Sequence, residues 1–155
     1  MNTKDALWRE IAYGLCGAGG LLESYAEQDH VVLDMRLNPD SAKSEADYHW
    51  IVLRRVTAAE DNRIRYRGER YEIELLGLRS SATKGDDALE AMQDIVIDHF
   101  SGKVKTFGKF TADGTPDPTG GLKLKVRYID TAEGFDQEFD EKAHILMFMV
   151  HHVRS

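Results

Sequence analysis

Three histidines near the end of the chain are the residues most able to bind a metal. Imidazole nitrogens are common zinc ligands, and His144, His151 and His152 lie within nine positions of one another. On the strand that we predict there, His151 and His152 point to opposite faces. His144 and His152 share a face but lie about 26 Å apart along it. We therefore predict an exposed strand end or an interface rather than a metal site.

The other reactive side chains and turn motifs occur in contexts that favour structural roles. Cys16, the only cysteine, has apolar or glycine neighbours, which predicts a buried thiol. Residues 17–20 lack the third glycine of a dinucleotide-binding turn and follow a predicted helix, so they should end that helix. Asp113, Asp117 and Thr119 lack the spacing and the closing glutamate of a calcium loop. We predict no catalytic residue, no metal, no cofactor and no enzyme activity.

The charge balance limits the classes of partner. The chain has 20 Lys and Arg against 27 Asp and Glu, a net charge of −7 at pH 7. A general nucleic-acid binder normally carries a basic excess, but DNA could pass beside this protein without being gripped. No apolar run of about 18 residues and no secretory leader is present. We expect a soluble protein without membrane contact.

A strand that leads into a helix is the strongest structural signal. Tyr71, Ile73, Leu75 and Gly77 alternate with charged residues, which predicts a strand with one buried face. We predict that Thr83 caps the following helix and that Gly102 ends it. Its apolar positions recur at helical spacing: Leu89, Met92, Val96 and Phe100.

The remaining patterns complete an α+β fold. They predict a helix over 4–16, a hairpin over 50–78, a turn over 130–137, and strands over 30–37, 104–110, 122–128 and 138–153. Residues 145–150 are apolar on both faces, so we expect cover on both sides. We predict one domain, residues 1–155, with a mostly antiparallel sheet and two helices packed on it.

A basic cluster in the central hairpin has two interpretations. In the first, it pairs across the strands with nearby acidic residues, as on an ordinary solvated hairpin. In the second, it meets the acidic face of the second helix in a neighbouring subunit, and such head-to-tail contacts close into rings. The basic residues are Arg54, Arg55, Arg63, Arg65 and Arg67, and the acidic ones are Asp86, Asp87, Glu90 and Asp94.

The order of elements resembles the tail terminator (tail-completion, minor tail) proteins of long-tailed phages. The resemblance lies in YRGERYEIELLGLRSS leading into DDALEAMQDIVIDHF, and in the closing LKLKVRYIDTAEGFDQEFDEKAHILMFMV. It implies a virion protein of the tail or neck, assembled in the host cytoplasm. Such proteins form a ring, usually a hexamer, that caps the tail tube and stops its polymerisation. They also join the head connector, and DNA passes through the lumen without sequence-specific binding.

Two polar loops are the predicted contacts to the tube or connector: Asn38, Asp40, Lys43, Glu45, Asp113 and Asp117. Two alternatives remain open. One is another head-tail joining or tail-tube component, which would polymerise into long stacks if it were a tube subunit. The other is a small α+β enzyme or ligand-binding domain, with a pocket lined by Tyr128, Phe148 and His144.

Overall fold

Six strands form one mixed sheet whose two helical segments pack on the same face. The computed structural model describes residues 1–34, 49–56, 68–78, 81, 83–136 and 140–153. The strand order is β1-β2-β3-β6-β5-β4, and every neighbouring pair is antiparallel except the parallel pair β1–β2. This architecture confirms the predicted α+β class. The strands are β1 Val31–Leu33, β2 Trp50–Val56, β3 Glu69–Leu78, β4 Lys103–Phe107, β5 Leu122–Asp136 and β6 Glu141–His152.

The predicted strand–helix unit is confirmed as β3 followed by the helix α2, Asp86–Phe100. Tyr71, Ile73 and Leu75 are buried on the face of β3 that meets the core. The four apolar side chains predicted for the helix are buried against them: Leu89, Met92, Val96 and Phe100. Full burial of each such side chain stabilises the fold by about 1.5–3 kcal/mol, so this unit anchors the sheet.

The start of α2 differs from the prediction. Gly85, not Thr83, is the residue that precedes the first helical turn. The hydroxyl of Ser81 accepts hydrogen bonds from the backbone N–H groups of Thr83 and Lys84, at 3.2 and 2.9 Å. A side-chain acceptor therefore organises this turn, but it acts ahead of the helix rather than at its cap. At the other end Gly102 has a φ of 71°, the left-handed conformation expected after a helix.

The first helical segment is confirmed, but its second half is not α-helical. It consists of α1, Thr3–Arg9, and a π-helical stretch, Glu10–Leu15. The N–H of Cys16 bonds the carbonyl of Ile11 at 2.9 Å, which is the wider π-type spacing. A Cβ at Gly17 would lie 2.1 Å from the carbonyl one turn earlier. The segment therefore ends where the predicted glycine stop begins.

The closing hairpin is longer than predicted. Residues 130–136 continue β5 instead of turning, after a bulge between Tyr128 and Asp130. They pair in antiparallel register with β6, from Asp130 opposite Met147 to Asp136 opposite Glu141. On its outer side, β5 pairs with β4 only as far as Val126. Among the described residues, no strand pairs with the outer side of β5 from Arg127 to Gly134, so this stretch forms an edge of the sheet.

Burial along β6 is one-sided, so the expectation of cover on both faces was too strong. Leu146, Phe148 and Val150 are buried beneath the helices. Their neighbours Ile145, Met147 and Met149 are only half-buried on the opposite face.

The other strand predictions hold with shifted ends. The antiparallel pairing of β2 with β3 is confirmed, with Trp50 opposite Leu76. The predicted strand over 30–37 is β1, because a short helical turn ends at His30 and Asp34 takes a positive φ of 68°. Residues 35–37 lie outside the described part. The strand predicted over 104–110 is β4, and it ends at Phe107.

Candidate functional site

The two described arginines of the predicted basic cluster are engaged within their own sheet. Arg54 places Nη2 2.9 Å from Oε2 of Glu74 and Nε 3.7 Å from Oε2 of Glu72. Arg55 places Nη2 3.8 Å from Oε1 of Glu69. These are the cross-strand pairs of the first interpretation. Arg63, Arg65 and Arg67 lie outside the described residues, so their part in a subunit contact stays a prediction.

The predicted acidic side chains form an exposed face on α2. Asp87, Glu90 and Asp94 are exposed, and so is Asp98 one turn further on. Asp86 is also exposed but binds Nζ of Lys142 at 2.7 Å, and this hydrogen bond raises the pKa of Lys142. The structure thus gathers the acidic residues on one surface.

The two described loop residues among the predicted contacts stabilise their own loop. The carboxylate of Asp113 accepts hydrogen bonds from the hydroxyl of Thr111 and from the backbone and hydroxyl of Thr115. These bonds lower the pKa of Asp113. Asp117 accepts from the hydroxyl of Thr119 at 3.1 Å. The turn-rich loop is as expected, while Asn38, Asp40, Lys43 and Glu45 lie outside the described residues.

A second basic surface lies on β5, and it was not predicted from the sequence. Lys123, Lys125 and Arg127 are exposed and point away from the helices, because they alternate with the buried Leu124 and Val126. We call these three residues the β5 stripe. The alternation is evident in the sequence, but which described residues lie opposite these cations depends on strand register and could not be predicted from it.

The three C-terminal histidines do not converge on a metal site. Nδ1 of His144 lies 2.7 Å from Oε1 of Gln93 on α2, and its Nε2 lies 3.4 Å from Oε1 of Glu133. His152 instead meets the hydroxyl of Thr3 at 2.5 Å. His144 is therefore a buried contact between β6 and α2 rather than part of a strand-end cluster.

Among the described residues, one group brings metal-ligating atoms close together. Single ligand atoms of Glu27, Asp29 and His30 lie within 4.8 Å of one another. Both carboxylates are exposed, and His30 stacks on Trp50 with ring centroids 4.2 Å apart. Nδ1 of His30 lies 3.1 Å from the carbonyl of His49. The ring is thus held by contacts that need no ion.

A partly buried carboxylate, that of Glu10, ties the first helical segment to α2 and to the loop after β4. Oε2 of Glu10 lies 2.7 Å from Nε2 of His99, and its Oε1 accepts the backbone N–H of Gly108 at 2.9 Å. Burial alone would raise the pKa of Glu10. The two hydrogen bonds, with the charges of His99 and Lys105, outweigh burial and lower it. Sequence reasoning missed this contact because the partners are 89 and 98 positions away.

Two further buried side chains, those of His49 and Cys16, have structural roles. His49 lies with Nδ1 and Nε2 each 3.0 Å from a carbonyl oxygen, those of Tyr25 and Lys84. Burial lowers the pKa of His49, partly offset by these hydrogen bonds. Burial also raises the pKa of Cys16 to about 12, so its thiol is protonated at neutral pH. The predicted buried thiol is confirmed.

Phe148, which the enzyme alternative places in the wall of a pocket, is buried and packed among aromatic side chains. Its ring packs edge-on against Tyr128, with centroids 5.8 Å apart. Phe148 also borders a small apolar gap of about 10 Å³. A gap of this size is at the lower limit for one water molecule, so it is too small for a substrate.

Comparison with known proteins adds no assignment. No protein-family model, curated protein or solved structure significantly matches the chain. Within the described segments, no helix has both the length and the apolar character needed to cross a membrane.

Proposed function

We propose that this chain is a structural subunit of a phage neck or tail, similar to a tail terminator. It would form a ring on the tail tube, stop tube polymerisation and join the tube to the head connector. The observation that carries the proposal is the order of elements: a first helical segment, a hairpin, a strand leading into a helix, and a closing hairpin. This is the order on which the family resemblance rests.

The state of the reactive side chains supports an assembly role. The thiol of Cys16 is buried and protonated. Glu10 and His144 make structural contacts between elements that are distant in sequence. None of these groups lines a cavity large enough for a substrate among the cavities found in the described chain. The charges left for partners lie on exposed surfaces.

The mechanism would be complementarity of shape and charge between subunits and with the tube. A ring that surrounds DNA should not bind it tightly, and a net charge of −7 disfavours tight binding of phosphates. The hexameric number of subunits and the partners, tail tube and head connector, come from the family resemblance. The loops over 38–47 and 111–121 remain the proposed contacts to these partners.

Native mass tests the proposal. Light scattering across concentration and salt, with and without the tail-tube protein encoded with this chain, should give one discrete ring of about six subunits, the usual number in the family. A monomer that closes into a ring only on the tube would agree equally well. Negative-stain images should then show tubes of limited length capped at one end.

Two results would contradict this function. Long polymers of the purified chain would indicate a tube subunit. A stable monomer or dimer that ignores the tail tube would favour the ligand-binding alternative.

A further inference from the structure

We propose that the β5 stripe of one subunit binds the acidic face of α2 in the next copy of this chain. For this contact we define the α2 acidic row as Glu90, Asp94 and Asp98. The inference rests on the proposed assembly and supplies the contact that builds it. It replaces Arg54 and Arg55, which pair within their own sheet, with a basic surface that forms no ion pair with a described carboxylate.

The β5 stripe has no acidic partner in its own subunit among the described residues. On β4 the residues opposite Lys123 and Lys125 are Thr106 and Val104. On β6 His151 lies opposite Lys125, and Met149 lies opposite Arg127. Within the described chain, no carboxylate comes within 4.0 Å of the stripe's charged nitrogens.

The α2 acidic row likewise forms no ion pair with a described residue. All three side chains are exposed, and none forms an ion pair within 4.0 Å with a described residue, although the charge of Glu90 helps to raise the pKa of Lys142, which binds Asp86. Each surface collects like charges at close range, which destabilises the isolated subunit slightly. Contact with a surface of opposite sign would relieve both repulsions.

The two rows also match in length and period. Residues four apart on a helix are separated by about 6 Å along its axis. Residues two apart on a strand are separated by about 7 Å. Three charges therefore span about 12 Å on α2 and about 14 Å on β5, so that a helix lying along the strand can pair each carboxylate with one cation. Val104, 50% exposed beside Lys125, adds apolar surface at the rim.

The positions of the two surfaces determine the type of assembly. The α2 acidic row faces away from the sheet, whereas the β5 stripe projects from the opposite face of that sheet. A two-fold dimer cannot join such surfaces, because both contacts would have to form on one side of each subunit. The contact must therefore be head-to-tail, and repetition gives a ring or an open filament.

Charge reversal and exchange test the contact on the full-length chain. Lys123→Glu with Lys125→Glu should weaken self-association at low salt by about tenfold or more, measured by sedimentation velocity. Asp94→Lys with Asp98→Lys should do the same. In the antiparallel arrangement of helix and strand, which pairs Asp98 with Lys123, Asp94 with Lys125 and Glu90 with Arg127, all four substitutions in one chain should restore assembly, because each of the three pairs is then again of opposite charge. Lys109→Glu, an exposed cation outside the stripe, is the matched control and should assemble normally.

Mixing two alanine variants tests the head-to-tail geometry. One chain carries alanine at all three stripe positions, and the other carries alanine at all three positions of the α2 acidic row. Each should be monomeric alone. Together they retain one intact interface and should form a complex of two chains and no more. Circular dichroism of each variant checks that the fold is preserved.

Several outcomes would overturn this contact. If the charge-reversed variants still formed rings, the contact would be refuted and the proposed function would stand. The same holds if the variant with all four substitutions failed to assemble. A wild-type chain that stays monomeric at every concentration and salt, even with the tail-tube protein present, would also refute it. If the stripe variants lost binding to a labelled DNA duplex but assembled normally, the stripe would be a nucleic-acid surface instead. Wild-type filaments that never close would preserve the contact and overturn the ring.

Discussion

The hairpin β2–β3 and the hairpin β4–β5 both carry cations on antiparallel strands, but among the described residues only the cations of the first hairpin form ion pairs with carboxylates of its own sheet. Arg54 lies opposite Glu72 and beside Glu74. Lys125 lies between Val104 and His151. The residue in register across the ladder therefore decides whether a charge stabilises its own fold or is available to a partner. Counting charges along the chain identified the arginines and overlooked the stripe.

This difference between the two hairpins can be tested by substituting charged residues one at a time, from the most buried to the most exposed. Substituting a charge that is paired within the subunit should lower stability and leave assembly unchanged. Substituting a charge on the β5 stripe should leave stability nearly unchanged and weaken assembly. Glu10 is a more buried example of a charge paired within the subunit, because its side chain is 13% exposed whereas that of Arg54 is 29% exposed.

Glu10→Gln should have the largest effect on stability, a loss of about 2 kcal/mol at neutral pH. The substitution removes the charge that His99 and Gly108 stabilise. Because the pKa of folded Glu10 lies below its ordinary value of 4.5, the wild-type advantage is complete above that value. It is lost as pH falls through the folded pKa. Urea unfolding across this pH range measures the difference.

His49 supplies a background that both proteins share in that experiment. Burial lowers its pKa, so stability declines as pH falls from the unfolded value of 6.5 toward the folded pKa. Subtracting the two unfolding curves removes this contribution. A difference between the proteins that did not change with pH would contradict the role given to the Glu10 charge.

Arg54→Met should have a smaller effect, a loss of about 1 kcal/mol or less. The methionine keeps much of the side-chain length but leaves Glu72 and Glu74 side by side without their cation. Native mass should not change, because this arginine acts within its own sheet. Loss of assembly in Arg54→Met, with the fold intact, would return the basic side of the contact to the central hairpin.

Lys125→Ala should have the smallest effect on unfolding, within about 0.5 kcal/mol of wild type. Its ammonium group has no ion pair with a described residue that the substitution could break. Self-association should nevertheless weaken, and Lys109→Ala should change neither property. A clear loss of stability in Lys125→Ala would show that the stripe is satisfied within the subunit.

Local periodicity predicted the parts of the fold that obey it. The alternation through Tyr71, Ile73 and Leu75 and the helical spacing from Leu89 to Phe100 gave the central unit correctly. The second half of β5 was missed because residues 130–134 have turn-like composition. Pairing with β6 overrides that local preference, as tertiary context does for strands in general.

The surfaces could be predicted only in part, for a related reason. The acidic face of α2 follows from helical spacing and was identified from sequence. The neutral surroundings of the β5 stripe follow from its register with two other strands, which no local pattern contains. The contact between Glu10 and His99 joins residues 89 positions apart, and it forms at the residue where the π-helical stretch begins.

The open edge of β5 has a consequence for the behaviour of the protein at high concentration. From Arg127 to Gly134 its outer backbone groups pair with no other strand of the described chain, and such edges recruit strands from other molecules. The carboxylates of Asp130 and Glu133 on this edge would repel an identical edge brought alongside. They would act as gatekeepers against sheet-to-sheet aggregation. Neutralising both should make the protein prone to amyloid-like precipitation even if its native assembly were unchanged.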